Sequence, residues 1–107
     1  MTRSGESLRR TDEEIRGEKA AALGRAGERL AEALQVVETL ATQLDAVTDP
    51  RVRDELAAAY EAARQRASRA RLMLVIQREA VGLRRHAVVD QQFPEPPRRP
   101  RSPDRSA

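Results

Sequence analysis

Four arginines recur at seven-residue intervals in the second half of the chain, at Arg64, Arg71, Arg78 and Arg85. On a helix, this spacing places their guanidinium groups along one line about 32 Å long. Few acids lie three or four residues away to neutralise the line, Glu61 before Arg64 being the exception. Guanidinium groups bind phosphate and carboxylate oxygens, so the line could contact a polyanion or the acids of a second subunit. We favour a simpler interpretation, a solvated flank of a helical bundle.

The residue types on which catalysis usually depends are scarce. The chain has no cysteine, and its one histidine, His86, lies among arginines without an evident acidic residue to orient it. There is no glycine-rich phosphate loop or zinc-ligand spacing, and no interleaving of aromatic and basic residues for stacking bases. We therefore expect a protein that is not an enzyme, with no metal, cofactor or small-molecule substrate. We expect His86 to be an exposed residue at a helix end.

The elements that would position the arginines meet at a hinge, residues 47–50. Pro50 cannot donate a backbone hydrogen bond to Ala46 and disfavours helical geometry at Asp49, so an incoming helix ends here. Asp49 is also a good N-cap, and proline is favoured at the first position of a helix. The sequence therefore predicts an all-α fold, an antiparallel two-helix hairpin. We favour it over one long kinked helix, which would leave its whole apolar stripe exposed.

The first helix is predicted over residues 11–48. Thr11 and Glu14 have the spacing of a capping box, and residues 1–10 are predicted to be frayed. A heptad seam follows, made of Leu23, Leu30, Val37 and Leu44, with Ala26, Ala33, Leu40 and Val47 three places after each. Residues 11–48 carry a net charge of −4, and residues 49–89 a net charge of +4. Antiparallel packing therefore brings arms of opposite charge together.

The second helix is predicted over residues 49–89. Positions three and four residues apart should face the first helix, namely Val52, Leu56, Tyr60, Ala63, Ala67, Ala70 and Leu74. Beyond residue 70 the apolar positions span about 200° of the helix, an arc wider than one partner helix covers. The second face of this arc comprises Leu72, Met73, Ile76, Ala80, Leu83 and Ala87. We expect it to join two copies into a homodimeric four-helix bundle; the alternative is a docking site for a different protein.

A four-helix core built from small hairpins resembles the geometry of ferritin-like proteins. Their metal site requires inward carboxylates and a Glu-x-x-His pair. Here Leu83 stands three residues before His86, and the acids of the first helix fall on its outer face. No metal site is therefore carried over from the resemblance.

Residues 90–107 differ in character from the rest, with five of the six prolines of the chain. We predict a disordered, extended tail with polyproline II character. Pro94 and Pro97, and likewise Pro97 and Pro100, have the spacing of a proline recognition motif, but we favour an inert tail. Phe93 is placed to fold back onto the end of the bundle.

The N-terminus lacks the apolar core of a signal peptide, and the longest apolar run, residues 72–76, is too short to span a membrane. We therefore expect a cytoplasmic protein that does not bind membranes. Its expected function is that of a non-catalytic structural or protein–protein interaction module, either a self-associating adaptor or an accessory subunit. The alternative is a nucleic-acid-associated protein that binds phosphates through the four arginines and the tail. A net charge of only +3 argues against that alternative.

Overall fold

A computed structural model describes residues 3–99 and shows an all-α fold. Two long helices, α1 (Arg3–Ala46) and α2 (Pro50–Ala80), pack against each other as an antiparallel hairpin, and a short helix, α3 (Ala87–Gln92), follows. The predicted hairpin is confirmed. The molecule is a rod with extents of 78 × 22 × 17 Å. Among the described residues, no helix is at once long enough and apolar enough to cross a membrane.

The hinge forms as the chemistry of Asp49 and Pro50 predicts. Asp49 has an extended backbone, and its carboxylate accepts a 2.9 Å hydrogen bond from the backbone N–H of Arg51. This bond satisfies one of the N–H groups that the first turn of α2 leaves without a helical partner. The guanidinium of Arg53 donates to the carbonyl oxygen of Val47 at 3.1 Å and so ties α2 to the loop before it.

α1 begins at Arg3 rather than at the predicted Thr11. The hydroxyl of Thr11 donates to the carbonyl oxygen of Ser7 at 3.0 Å, a bond made inside the helix. The capping box predicted at Thr11 is therefore wrong. Residues 3–10 contain no proline and include good helix formers such as Leu8 and Arg9, so nothing stops the helix before it reaches Arg3.

The core consists of two clusters between α1 and α2, and α3 contributes Val89 to one of them. One consists of Ala26, Leu30, Leu74 and Val89, and the other of Val37, Tyr60, Ala63 and Ala67. The predicted heptad seam of α1 therefore does face α2, and the alanines of α2 let the two helices approach closely. Tyr60 is only 1% exposed and is the largest side chain buried in the hairpin.

α2 ends at Ala80, whereas the sequence predicts a helix that continues to residue 89. The stop is a Schellman motif. Gly82 has a φ of 90°, its N–H bonds to the carbonyl of Glu79, and the N–H of Leu83 bonds to the carbonyl of Arg78. Glycine adopts this left-handed conformation at no steric cost. The chain then reverses direction, and α3 runs back beside α2.

Residues 87–99, which we call the strap, run back along the hairpin. Val89 is buried in the first core cluster and Phe93 packs against that cluster. Residues 94–99 form neither helix nor strand and reach Asp45, next to the hinge. Phe93 thus folds back against the side of the hairpin rather than its end, and residues 90–99 are packed where a disordered tail is predicted. Residues 100–107 of that predicted tail lie outside the described part of the chain.

α1 extends beyond the end of α2. It contains 44 residues against 31 in α2, and its contacts with the core begin only at Leu23 and Ala26. Every residue from 7 to 21 is exposed. We call residues 7–21 the α1 arm, and its exposure follows from the early end of α2.

Candidate functional site

The side of α2 that faces away from α1 carries an exposed apolar surface. Leu72, Met73 and Ile76 are 56%, 49% and 45% exposed, respectively. At about 100° per residue, Ile76 lies on the side of α2 opposite to Ala67, which is buried against α1. Ala80 is exposed on the same side. These four residues form what we call the α2 face.

The two other residues of the predicted interface are not part of the α2 face. Leu83 lies in the turn after α2, and Ala87 begins α3. Both are exposed, as are Val81 and Val88, which continue from the inward-facing Leu74 at seven-residue spacing. The structure therefore brings four of the six predicted residues together on one helix and moves two onto the returning chain.

A second apolar surface lies on the α1 arm. Leu8 and Ile15 are exposed, and they stand seven residues apart on the face that continues towards the seam. They are uncovered because α2 ends too early to reach them. A second helix of the predicted length, residues 49–89, would cover Ile15, so its exposure does not follow from the sequence pattern.

Arg64, the first residue of the predicted basic line, is engaged within the chain. Its Nε and one terminal nitrogen donate to the two carboxylate oxygens of Glu61 at 2.9 and 2.7 Å. Its other terminal nitrogen lies 3.8 Å from the carboxylate of Glu95 in the strap. The paired hydrogen bonds lower the pKa of Glu61 and raise the pKa of Arg64. Arg64 therefore links α2 to the strap.

Two further arginines of the line also hold the returning chain. Arg71 donates to the carboxylate of Asp90 at 2.8 Å, and this hydrogen bond raises the pKa of Arg71. Arg78 donates to Nδ1 of His86 at 3.2 Å and to the carbonyl oxygen of Arg85 at 2.7 Å. Arg85 itself lies beyond the end of α2 and is exposed. Three of the four arginines thus face the strap and its connection, an arrangement that does not favour the polyanion interpretation.

His86 connects the end of α2 to the start of α3. Nδ1 accepts the hydrogen bond from Arg78, and Nε2 lies 3.4 Å from a carboxylate oxygen of Glu79. A ring nitrogen that accepts carries no proton, so in the neutral ring Nε2 carries it and points it at Glu79. The expectation of an exposed histidine without an acidic partner is therefore wrong. The turn at Gly82 brings Glu79 and His86 together. On a continuous helix the two residues would lie two turns apart, so the predicted longer helix does not pair them.

The groove between α1 and α2 receives the end of the strap. The hydroxyl of Tyr60 donates to the carbonyl oxygen of Pro97 at 2.6 Å. The guanidinium of Arg99 lies over the Tyr60 ring, 5.7 Å from its centroid, and bonds to the carboxylate of Asp45 at 2.6 Å and to the carbonyl of Ala41 at 3.3 Å. This site is not among those that the sequence predicts, and its one signal in the sequence is a single helical tyrosine in a chain that also has a proline-rich segment.

Comparisons of the chain with protein-family models, with curated proteins and with solved structures give no match.

Proposed function

We propose that the chain is a non-catalytic protein–protein interaction module that self-associates through the α2 face. The observation that carries this proposal is the exposure of Leu72, Met73 and Ile76 on a side of α2 that faces neither α1 nor the strap. Arg71, which holds the strap, is about 140° around the helix from Ile76. Neither the hairpin nor its returning chain therefore covers the face.

Burial of the α2 face supplies the driving force for association. Fully burying an exposed leucine, isoleucine or methionine is worth about 1.5–3 kcal/mol. Two hairpins that meet through this face form a four-helix assembly with the two α2 helices in contact at its centre and the two α1 helices outside them, and each copy covers the apolar side chains of the other. In a two-fold dimer the same residues of both copies form the contact. Leu72, Met73 and Ile76 therefore contribute six large side chains in total.

Charge supports a second copy as the partner. The α1 arm carries four acids, Asp12, Glu13, Glu14 and Glu18, and four bases, Arg9, Arg10, Arg16 and Lys19, but within residues 11–21 the acids outnumber the bases by four to two. The α2 face is flanked by the exposed residues Arg66 and Arg69. Residues 11–21 of one copy are therefore opposite in charge to the basic flank of the other, and Leu8 and Ile15 on the arm extend the apolar surface available to the dimer.

The proposal is tested by the molar mass of the wild-type chain and two matched variants in size-exclusion chromatography with light scattering. We expect a dimer for wild type, at low and at high salt, and a monomer for Ile76→Asp, because a charge in the buried contact opposes association. Val36→Asp is the control, since Val36 is 47% exposed on α1 and Ile76 is 45% exposed on α2. It should remain dimeric.

A wild-type monomer would overturn self-association and assign the α2 face to a different protein. A dimer that persists in Ile76→Asp would remove the α2 face from the contact. Absorbance at 260 nm, followed in the same run, reports co-purifying nucleic acid, and its loss at high salt would indicate phosphate contacts.

A further inference from the structure

Residues 93–99 occupy the groove of the hairpin in the manner of a bound peptide. At one end Phe93 packs against the core cluster that contains Leu30 and Leu74. In the middle, the carbonyl oxygen of Pro97 accepts the hydrogen bond from Tyr60, and at the other end Arg99 bonds to Asp45. The segment is thus held at three separate points, although residues 94–99 belong to no helix or strand.

The chemistry of the segment suits this mode of binding. Pro94, Pro96 and Pro97 have fixed φ angles and no N–H groups, so the segment loses little conformational freedom on docking and presents carbonyl oxygens. Aromatic-lined grooves recognise proline-rich segments by this chemistry. Tyr60 makes two contacts with the segment. Its hydroxyl donates a hydrogen bond to the carbonyl oxygen of Pro97, and its ring face lies beneath the guanidinium of Arg99.

We propose that this groove is a recognition site for extended segments of the pattern Phe-Pro-x-Pro-Pro-x-Arg. Residues 93–99 of the chain occupy it as an internal ligand, and a segment of the same pattern on another polypeptide binds the groove by displacing them. This site is independent of the proposed self-association, because the groove and the α2 face lie on different sides of α2. The partner is identified by its chemistry: an anchoring phenylalanine, a proline-rich centre and an arginine.

The attachment of the internal ligand determines how such a partner competes. A short tether gives the internal segment an effective concentration of the order of millimolar, so even a weak site is filled. Residues 87–92 have anchors of their own, the buried Val89 and the bond between Asp90 and Arg71. Residues 93–99 can therefore leave the groove while α3 stays in place. Weakening residues 93–99 alone should open the groove without removing its walls.

The test measures binding of a fluorescein-labelled synthetic peptide, residues 91–99 of this chain, to the full-length protein by fluorescence anisotropy. The double variant Phe93→Ser/Arg99→Ala weakens the internal ligand and leaves the groove unchanged. We expect it to bind the peptide at least about tenfold more tightly than wild type does, because the competing segment is weakened. Adding Tyr60→Phe and Asp45→Asn to this variant should reduce the affinity by about tenfold or more.

A peptide with the same composition in scrambled order is the control and should bind none of the variants with comparable affinity. The single variant Arg99→Ala keeps Phe93 in the core, so it retains the fold and should still bind the peptide several-fold more tightly than wild type. Absence of peptide binding to both opened variants, with their helical circular dichroism intact, would overturn the proposal. Equal affinity with and without the Tyr60 and Asp45 substitutions would overturn it as well.

Discussion

The hydroxyl of Tyr60 and the carbonyl oxygen of Pro97 are 2.6 Å apart, although 37 residues separate them in the chain. Tyr60 is the only aromatic residue of α1 and α2, and it sits in the second core cluster with Val37 and Ala63. The ring of Tyr60 therefore stabilises the hairpin, and its hydroxyl fixes the strap. This division of roles allows the two contributions to be separated by experiment.

Replacing Tyr60 by Phe should loosen the strap and leave the hairpin folded. The substitution keeps the buried ring and removes one hydrogen bond, so the free energy of unfolding should fall by about 1 kcal/mol. Urea unfolding followed by circular dichroism measures this loss. Trypsin should cleave after Arg98 faster in the variant, because the strap leaves the groove more often. An unchanged cleavage rate would show that the hydroxyl does not hold the strap.

Replacing Gly82 by Ala should destabilise the end of α2, even though no atom beyond the residue itself and its two chain neighbours lies within 4 Å of the position that the new Cβ would take. The cost comes from the φ of 90°, which alanine adopts at a penalty of about 1 kcal/mol. Gly24→Ala is the matched control. It also meets no atom within 4 Å, but it lies within α1, so alanine there should stabilise the fold by about 0.5–1 kcal/mol. Urea unfolding of both variants measures the two changes in the free energy of unfolding. Changes of the same sign would contradict this prediction.

Stability should decrease in acid partly through Glu61. The hydrogen bonds from Arg64 lower the pKa of Glu61 in the folded state, so on acidification the unfolded chain takes up this proton first. The contribution of the pair is complete above the pKa of an ordinary glutamate and is lost as the pH falls through the lower, folded-state value. We expect the free energy of unfolding to decrease between about pH 5 and pH 3.

The variant Glu61→Gln should show a shallower decrease over the same range, because glutamine takes up no proton. Glu55→Gln, at an exposed position of the same helix, is the control and should follow wild type more closely. Urea unfolding at a series of pH values gives the measurement. Identical pH profiles for wild type and Glu61→Gln would mean that the pair with Arg64 does not contribute to stability.

The hairpin could be predicted from sequence because its determinants are local. Pro50 and Asp49 act within one turn of each other, and the heptad seam from Leu23 onward is a regular repeat that one face of a helix must bury. Val37 and Tyr60, both on predicted inward faces, are indeed buried. Local rules were therefore sufficient for the hinge and for the inward faces of the two long helices, but not for the start of α1 or the end of α2.

The strap could not be predicted in the same way. Leu74, Val81 and Val88 continue the inward stripe at seven-residue spacing, and one glycine at position 82 costs a helix only about 1 kcal/mol. The apolar pattern therefore favours a longer helix than the one that forms. What ends it is a combination of the glycine turn with contacts such as that between Arg71 and Asp90, and such long-range contacts leave no periodic signal in the sequence.

Because the α1 arm projects beyond α2, the rod has two parts that differ in stability: the exposed arm and the packed hairpin. Residues 7–21 are exposed, so their helix depends on intrinsic propensity, which Gly17 lowers by about 1 kcal/mol. Isolated helices of about 15 residues are marginal in water. The backbone amides of the arm should therefore exchange their hydrogens with solvent far faster than those around Leu30, which open only when the hairpin does. The length of the molecule in solution is then a population average, set by the helix–coil equilibrium of the arm.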